Sequence, residues 1–184
     1  MRKYNVTAIV LKNSAHKDAD KLFTMLSQEN GKIIAIAKGV RKITSRRSGS
    51  LDTLNKIKLA ISQSDSGFKF INEVQLIESF PRLKKDYEKV KKALYLAELV
   101  NKTVFEEIDS ELIYNIFEKS LQALNDSADN ADLIVSKFEL NLLKHLGYGV
   151  DLNILKEKKF AKFKEKVKSH ISLTLDESFK SLEM

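Results

Sequence analysis

The sequence contains no cysteine and only one proline in 184 residues. Without cysteine, disulfides, thiolate zinc sites and cysteine nucleophiles are excluded. The longest apolar runs, such as Ile33–Ala37, are far too short to cross a bilayer. The first residues also lack the uninterrupted apolar stretch and the cleavage site of a signal peptide. These absences predict a cytoplasmic protein that does not associate with membranes.

Residue combinations that carry catalysis are also sparse. The sequence shows no nucleophile–base pairing, no glycine-rich phosphate cradle and no convergent carboxylates. His16, Asp18 and Asp20 lie close together, but an HxDxD spacing lacks the fuller ligand set of a stable metal site. We therefore predict that the protein is not an enzyme. We also expect no metal, no other cofactor and no small-molecule substrate.

Positive charge is concentrated at the start of the chain. The net charge is +7, and residues 1–79 hold 14 Lys and Arg against 7 Asp and Glu. Residues 80–154 carry a net charge of −3, and residues 155–184 carry +3. A local surplus of this kind favours a polyanionic partner, because binding then releases counterions.

The first eighty residues have the pattern of β-strands. Ile57, Leu59 and Ile61 alternate with Lys56 and Lys58, so one face is apolar and the other basic. Four more β-rich stretches cover residues 4–11, 21–26, 32–37 and 68–77. Turn residues separate these stretches, and five short strands without helical periodicity predict a small closed barrel. The OB-fold has this size, although an SH3-like barrel or a small sandwich fits the same pattern.

The periodicity changes to that of helices at Pro81. Apolar stripes at helical spacing begin near Tyr87, Ile113, Leu133 and Phe160, and the third ends at Gly147, a typical residue just after a helix C-terminus. We therefore predict an α+β protein with a nucleic-acid-binding barrel in residues 1–79. A helical, partner-binding domain follows in residues 80–184.

The strongest local feature of the predicted barrel is a basic segment between two strands, residues 38–47. It combines five basic residues with glycine and hydroxyl residues and contains no acid. Such a segment can follow a phosphate backbone, and its arginines can stack on exposed bases. We expect these five residues, with two lysines of the next strand, to bind DNA: Lys38, Arg41, Lys42, Arg46, Arg47, Lys56 and Lys58.

Aromatic side chains often complete an OB-type groove, because bases stack on them. Four strand aromatics are candidates here, namely Tyr4, Phe23, Phe68 and Phe70. Most aromatics in strands belong to a core, and Phe68 and Phe70 share one strand face. We therefore expect those two to be either both buried or both exposed.

The third helical stripe offers a second binding surface. Lys137 and Lys144 lie seven residues apart with Leu140 between them and His145 adjacent, so the four can line one helix face. An apolar strip flanked by lysines suits an acidic peptide with a hydrophobic end. An ordinary amphipathic helix with solvated lysines is the alternative.

Several segments, in order, resemble the bacterial RecO family of recombination mediators. They are Thr7–Lys12, Asp18–Leu22, Gly31–Ile33, Ala37–Lys42, Ser45–Arg46, Glu78–Pro81, Lys137–Leu140 and Leu146–Tyr148. Each is weak alone, but their order and spacing across residues 1 to about 152 are specific. The resemblance implies an N-terminal OB-fold followed by a helical domain. It also implies binding of single- and double-stranded DNA, strand annealing, and partnership with RecR and the C-terminal tail of single-stranded DNA-binding protein.

The last part of the sequence departs from that family. Members often continue with a cysteine-bearing zinc module, whereas residues 152–184 contain no cysteine. The chain therefore resembles a shortened member that lacks the zinc module. We expect a nucleoid-associated mediator of DNA repair and recombination. An RNA-binding OB module or a non-catalytic interaction scaffold are the alternatives.

Overall fold

A computed structural model of the protein describes residues 2–41, 49–106, 110–126, 131–147, 154 and 160–175. The chain forms two compact units. The first comprises Met1–Phe80 and Ala97–Tyr114, and the second comprises Pro81–Leu96 and Asn115–Met184. No helix in the described ranges has both the length and the apolar character that crossing a membrane requires.

The first unit contains a closed barrel with the strand order β1-β2-β3-β5-β4. Its strands are β1 (Arg2–His16), β2 (Asp20–Ser27), β3 (Gly31–Ala37), β4 (Lys56–Gln63) and β5 (Lys69–Glu78). Neighbouring strands run antiparallel except β3 and β5, which run parallel and pair at Ile36 and Phe70. This parallel pairing closes the barrel. Such a barrel followed by helices confirms the predicted fold class.

Alternating residues of the strands fill the barrel. The inward positions carry apolar side chains that are almost fully buried, as the alternation in β4 predicted. They include Val6, Ala8, Val10, Phe23, Met25, Ile33, Ala35, Ile57, Leu59, Ile61 and Ile71. Strand β1 is longer than its apolar pattern indicates, because it pairs first with β4 and then with β2. The register shifts between Val10 and Lys12, and such a bulge bends a strand that must serve two neighbours.

Residues Ala97–Tyr114 cluster with the barrel rather than with the other helices. Within this unit Lys32 Nζ donates a hydrogen bond to the backbone oxygen of Asn101 at 2.9 Å. Glu106 forms β-bridges with both Gly31 and Lys32. Partial burial lowers the pKa of Lys32, and the charge of Glu106 opposes that effect. The predicted domains, 1–79 and 80–184, divide the chain at one point and therefore assign Ala97–Tyr114 to the helical domain, whereas in the structure these residues belong to the unit of the barrel.

Five helices are described after the barrel. They are α1 (Pro81–Lys84), α2 (Tyr87–Thr103), α3 (Glu111–Asp126), α4 (Ala131–His145) and α5 (Phe160–Leu175). The predicted stripes supply much of the helical core, including Phe117, Leu121, Phe138, Leu142, Val167 and Ile171. Tyr87 and Leu133 are exceptions, with 68% and 37% of their surface exposed. Both lie in the first turn of a helix, where fewer neighbouring side chains are available to cover them.

Side chains and glycine fix the helix ends. Asn125 Oδ1, near the end of α3, accepts hydrogen bonds from the backbone N–H groups of Arg82 and Leu83 at 3.0 and 3.2 Å. These donors have no partner within α1, so the amide caps it from a distant part of the chain. Gly147, two residues after the last residue of α4, has φ 82°, the left-handed conformation typical of glycine just past a helix C-terminus.

Candidate nucleic-acid interface

The start of the basic segment is fixed to the turn between β1 and β2. Asp20 Oδ1 accepts a hydrogen bond from the backbone N–H of Gly39 at 2.7 Å. The backbone N–H of Arg41 donates to Ala19 O at 3.0 Å, and Arg41 Nη1 donates to Lys17 O at 3.4 Å. Two parts of the barrel that are twenty residues apart in sequence therefore lie side by side. Lys38 and Arg41 are both exposed there.

The chain that resumes after the basic segment is also fixed to the barrel. Asn55, which is buried, donates from its amide nitrogen to the backbone oxygens of Gly49 and Ser50 at 3.2 and 3.0 Å. Val40, within the segment, and Leu51, after it, insert into the barrel core. Residues 42–48 are thus flanked by anchored chain on both sides. The predicted DNA contacts Lys42, Arg46 and Arg47 lie outside the described residues.

An aromatic ring lies directly beside the start of the basic segment. Lys38 Nζ is 4.6 Å from the centroid of the Phe70 ring, a cation–π distance. The contact follows from the topology, since Ile36, two residues before Lys38, pairs with Phe70 where the barrel closes. Phe70 is half-buried, and Phe68 is 60% exposed. Neither ring belongs to the barrel core, so both can offer surface to a ligand.

The turn that carries Phe68 is internally bonded. Ser64 accepts a hydrogen bond from Gly67 N–H at 3.0 Å, and its own N–H donates to Phe68 O at 2.9 Å. Gly67 has φ 84°, which a residue with a side chain rarely adopts. A large apolar ring is therefore held in solvent by an ordered turn. OB-type barrels commonly use the β1–β2 and β4–β5 loops for oligonucleotides. Here the β1–β2 turn is hydrogen-bonded to the basic segment, and Phe70, which contacts Lys38, lies in β5 two residues after Phe68.

The other two aromatic candidates are placed differently. Phe23 is 1% exposed and belongs to the barrel core, so it cannot stack on a base. Tyr4 is half-buried and packs against that core, with the Arg2 guanidinium carbon 5.6 Å from its ring centroid. The core position of Phe23 agrees with the usual role of aromatic residues in strands.

Lys56 and Lys58 are not brought together with Lys38. In the register of β4 and β5, Lys58 lies opposite Gln75, five residues along β5 from Phe70. That separation corresponds to about 17 Å of strand. Lys56 lies further on, opposite Glu78. If these two lysines bind DNA, they belong to a different part of the barrel surface.

The structure adds two basic residues that the sequence did not single out. Lys17 is exposed in the β1–β2 turn, and its carbonyl oxygen accepts the hydrogen bond from Arg41. Lys3 is exposed opposite Ser62, which in turn lies opposite Phe70. Directly paired residues point to the same face, so Lys3 lies two strands, about 10 Å, from Phe70. Neither residue has a local sequence signal, because only strand pairing creates their proximity.

The HxDxD cluster has a structural role in this arrangement. His16 and Asp20 are paired across the β1–β2 hairpin, and Asp20 binds the backbone of Gly39. Asp18 is exposed in the turn. Across the described ranges, no three His, Cys, Asp or Glu residues are grouped so that they could hold a metal ion.

A groove between α3 and α4 in the second unit coincides in part with the predicted peptide site. Its volume is about 320 Å³. The lining combines Lys119 and Lys137 with apolar residues that include Ile116, Ala123, Ile134 and Phe138. Lys144 and His145 are exposed and Leu140 is half-buried, but none of the three lines the groove. Of the predicted strip, only Lys137 is placed at this groove. Lys119 was missed because it lies on another helix.

Comparison with known protein families covers most of the chain. The model described as recombination protein O N terminal matches residues 1–80, and the model described as recombination protein O C terminal matches residues 84–154. The chain belongs to the RecO family. The predicted family is therefore confirmed, and the two models meet close to the end of the barrel.

Curated RecO proteins from several bacteria are similar in sequence. The DNA repair protein RecO of Thermoanaerobacter sp. (strain X514) is 32% identical over 148 residues, which is 80% of this chain and 59% of that protein. Those of Clostridium novyi (strain NT) and Roseiflexus sp. (strain RS-1) are 32% and 34% identical, again over 80% of this chain, and 57% and 51% of their own lengths are covered. The chain thus spans a little over half the length of the curated relatives it matches.

Proposed function

We propose that this chain acts in DNA repair as a recombination mediator that binds DNA without making or breaking a covalent bond. Its barrel binds single- and double-stranded DNA and brings complementary strands together. The family membership supports a role in repair. The observation that carries DNA binding is the contact of Lys17 with Arg41 in the region that also holds Lys38. Lys38 in turn lies against the half-buried ring of Phe70, and the exposed ring of Phe68 is two residues away in sequence.

The chemistry of this surface suits a nucleic-acid backbone with unpaired bases. Exposed lysine and arginine side chains neutralise phosphates, and the release of counterions then favours binding. Aromatic rings next to those charges stack on bases of any sequence. Lys42, Arg46 and Arg47 follow Arg41 directly in the chain and would extend the basic surface.

Annealing follows from charge neutralisation. Two complementary strands repel each other through their phosphates, and a basic surface that binds both lowers that repulsion. The protein would supply no catalytic group, and base pairing itself would provide the driving force. Affinity should therefore depend steeply on salt and little on base sequence.

The helical unit would bind protein partners. The groove between α3 and α4 combines an apolar floor with Lys137 and Lys119, which suits an acidic peptide that ends in an apolar residue. The C-terminal tail of single-stranded DNA-binding protein is the partner that we propose for it. Together with RecR, the protein would exchange single-stranded DNA-binding protein for recombinase.

Strand annealing of complementary oligonucleotides tests the proposal. The parent chain is compared with a variant in which Arg41, Lys42, Arg46 and Arg47 are changed to alanine. A control variant loses the same charge from exposed positions outside the barrel: Lys85, Lys144, Lys162 and Lys166. We expect annealing by the parent and the control and little annealing by the first variant. Absence of annealing by a folded parent, or equal losses in both variants, would overturn the proposal.

The nature of the polymer is decided by competition. Matched DNA and RNA oligonucleotides compete for the parent chain at physiological salt. Preference for DNA supports the repair role, whereas preference for RNA would favour an RNA-binding module. If the protein bound neither polymer, a role as a protein-interaction scaffold would be favoured.

A further inference from the structure

A second cleft in the helical unit is distinct from the peptide groove. It has a volume of about 220 Å³ and is bordered by α2, α4 and α5. Nine of its ten lining residues carry a charged or polar group: Glu88, Lys91, Lys92, Tyr95, Asp132, Ser136, Glu139, Lys164 and Lys168, with Val135 as the tenth. Four lysines from two helices thus face one small space.

Two of these lysines are not neutralised. Asp132 pairs with Lys164 at 2.9 Å and with Lys92 at 3.5 Å, and Lys92 also lies 3.7 Å from Glu88. Within the described part of the chain, Lys91 and Lys168 form no ion pair at all. The cleft therefore retains two cations that no described carboxylate pairs with directly, although the charge of Lys168 acts on Glu139 at longer range.

Ser136, one of the residues that line the cleft, carries a buried hydroxyl. Ser136 is 1% exposed, and its Oγ has no hydrogen-bond partner among the described residues. Buried polar groups in proteins are almost always hydrogen-bonded, so an unpartnered hydroxyl at a cleft is unusual. A rotation of the Ser136 side chain that brings the hydroxyl into the cleft would let an acceptor atom there satisfy it.

The remaining carboxyl of the cleft is buried. Glu139 is 3% exposed and accepts a hydrogen bond from the Tyr95 hydroxyl at 2.5 Å. Burial raises the pKa of Glu139 to about 7, although the Tyr95 hydrogen bond and the charges of Lys168 and Lys164 oppose the shift. Below that pH the group is mostly neutral, and it adds no negative charge to the cleft.

We propose that this cleft binds a small, doubly charged oxyanion of the phosphate class, held by Lys91, Lys168 and the Ser136 hydroxyl. The two lysines supply the charge, and the hydroxyl donates a hydrogen bond to an anion oxygen. The bound group is a free phosphate or phosphate ester rather than a DNA backbone phosphate. This site shares no residue with the basic segment or with the groove of the proposed function, and it does not depend on either.

Anion binding in this cleft is coupled to a proton. The charged or titratable groups that share the cleft with Glu139 are Glu88, Lys91, Lys92 and Tyr95 of α2, Asp132 of α4, and Lys164 and Lys168 of α5. Of these, Tyr95, Lys168, Lys164 and Asp132 act on its pKa. When Glu139 loses its proton, a new negative charge lies beside the bound anion. The affinity should therefore fall as the pH rises through about 7. Sulfate is the suitable probe for this measurement because its own charge is constant over this range.

Calorimetric titration of the full chain with sulfate, and then with inorganic phosphate, tests the site. We expect saturable binding to the parent and affinity about tenfold weaker for Lys168→Ala, the loss of one charge-assisted hydrogen bond. Lys162→Ala is the matched control, because Lys162 is exposed on the same helix and does not line the cleft. Absence of saturable binding, or equal losses in the two variants, would overturn the proposal.

Ser136→Ala separates a ligand site from a merely structural one. Because the hydroxyl has no described partner, its removal should leave the Tm of the sulfate-free protein unchanged or slightly raised. Sulfate affinity should nevertheless fall severalfold. A drop in Tm without any change in sulfate affinity would contradict a role of Ser136 in anion binding.

DNA is the competing source of phosphate. A single-stranded oligonucleotide is added while sulfate binding is measured, and the same titration is repeated with Lys168→Ala. If the oligonucleotide leaves the Lys168-dependent sulfate affinity unchanged, the ligand is a free anion. Competitive displacement of sulfate would overturn that assignment and make the cleft part of the DNA surface.

Discussion

The Asp20 carboxylate accepts a hydrogen bond from the backbone N–H of Gly39 at 2.7 Å, which joins the β1–β2 turn to the basic segment. Although Asp20 is an acid in a region of positive charge, its hydrogen bond holds the backbone of the basic segment in place. Arg41 adds two bonds to the same turn, through its N–H and its guanidinium group. The first residues of the basic segment are therefore ordered by the barrel before any DNA is present.

Removal of this support should weaken DNA binding. We expect Asp20→Ala to lower the affinity for single-stranded DNA by about threefold to tenfold, since a hydrogen bond of about 1 kcal/mol no longer holds Gly39. The change also removes a negative charge, which by itself would favour DNA. Asp18→Ala, an exposed neighbour with the same charge change, is the control and should bind DNA at least as well as the parent. Fluorescence anisotropy at fixed salt measures both variants, and equal affinities would contradict the supporting role of Asp20.

The exposed ring of Phe68 should distinguish unpaired from paired bases. Phe68→Ala is expected to weaken binding of single-stranded DNA by about 1–3 kcal/mol, the range for loss of one stacked base. Binding of duplex DNA should change little, because stacked and paired bases are not available to the ring. Phe105→Ala removes a comparably exposed ring of the same unit, 67% exposed, and serves as the control. Equal effects of Phe68→Ala on the two DNA forms would exclude stacking.

Two lysines of α4 distinguish the groove between α3 and α4 from the helix face that the sequence predicted as the peptide site. Lys137 lines the groove between α3 and α4, whereas Lys144 lies seven residues further along α4 and does not. Lys137→Ala should reduce the affinity for an acidic peptide with an apolar C-terminal residue by about tenfold, as expected for a charge-assisted contact. Lys144→Ala should have a small effect. Similar losses in both variants would instead support the helix face that includes Leu140 and His145.

Glu139 should make the stability of the protein depend on pH. Its pKa is raised from 4.5 to about 7 in the folded state, so the folded protein holds the proton more tightly than the unfolded chain does. The resulting stabilisation is fully present below pH 4.5 and is lost as the pH rises to about 7. By linkage it amounts to about 3 kcal/mol at most.

Denaturant unfolding at pH 5 and pH 8 checks this expectation. Glu139→Gln keeps an acceptor for Tyr95 but cannot ionise, so its free energy of unfolding should change less between the two pH values than that of the parent. Glu165→Gln, an exposed carboxylate on α5, should retain the pH dependence of the parent. A parent whose stability rises from pH 5 to pH 8 relative to Glu139→Gln would contradict the raised pKa.

The local spacing of apolar residues was sufficient to predict the type of most strands and helices of this protein. Alternating apolar residues such as Ile57, Leu59 and Ile61 specify a strand whatever its partner, since only one face can be buried. The helical spacing of Phe117, Leu121 and Leu124 likewise specifies a buried helix face. The family resemblance could be seen for the same reason, because it rests on short segments in a fixed order.

The sequence alone could not predict which residues that are distant along the chain lie close together in the fold. Lys3 and Lys17 have no sequence signal that links them to Phe70 and Arg41, and strand pairing alone brings them near. The interpretation of Lys56 and Lys58 as an extension of the basic segment rested on sequence distance, whereas the register places Lys58 about 17 Å along the barrel from Phe70. The anion cleft depends even more on tertiary structure, because its lysines and its buried hydroxyl come from three helices.

The sequence by itself determined the kinds of elements, the family and the charge, since these are local or compositional. Tertiary structure decided which charges share a surface, since that depends on register and packing between distant residues.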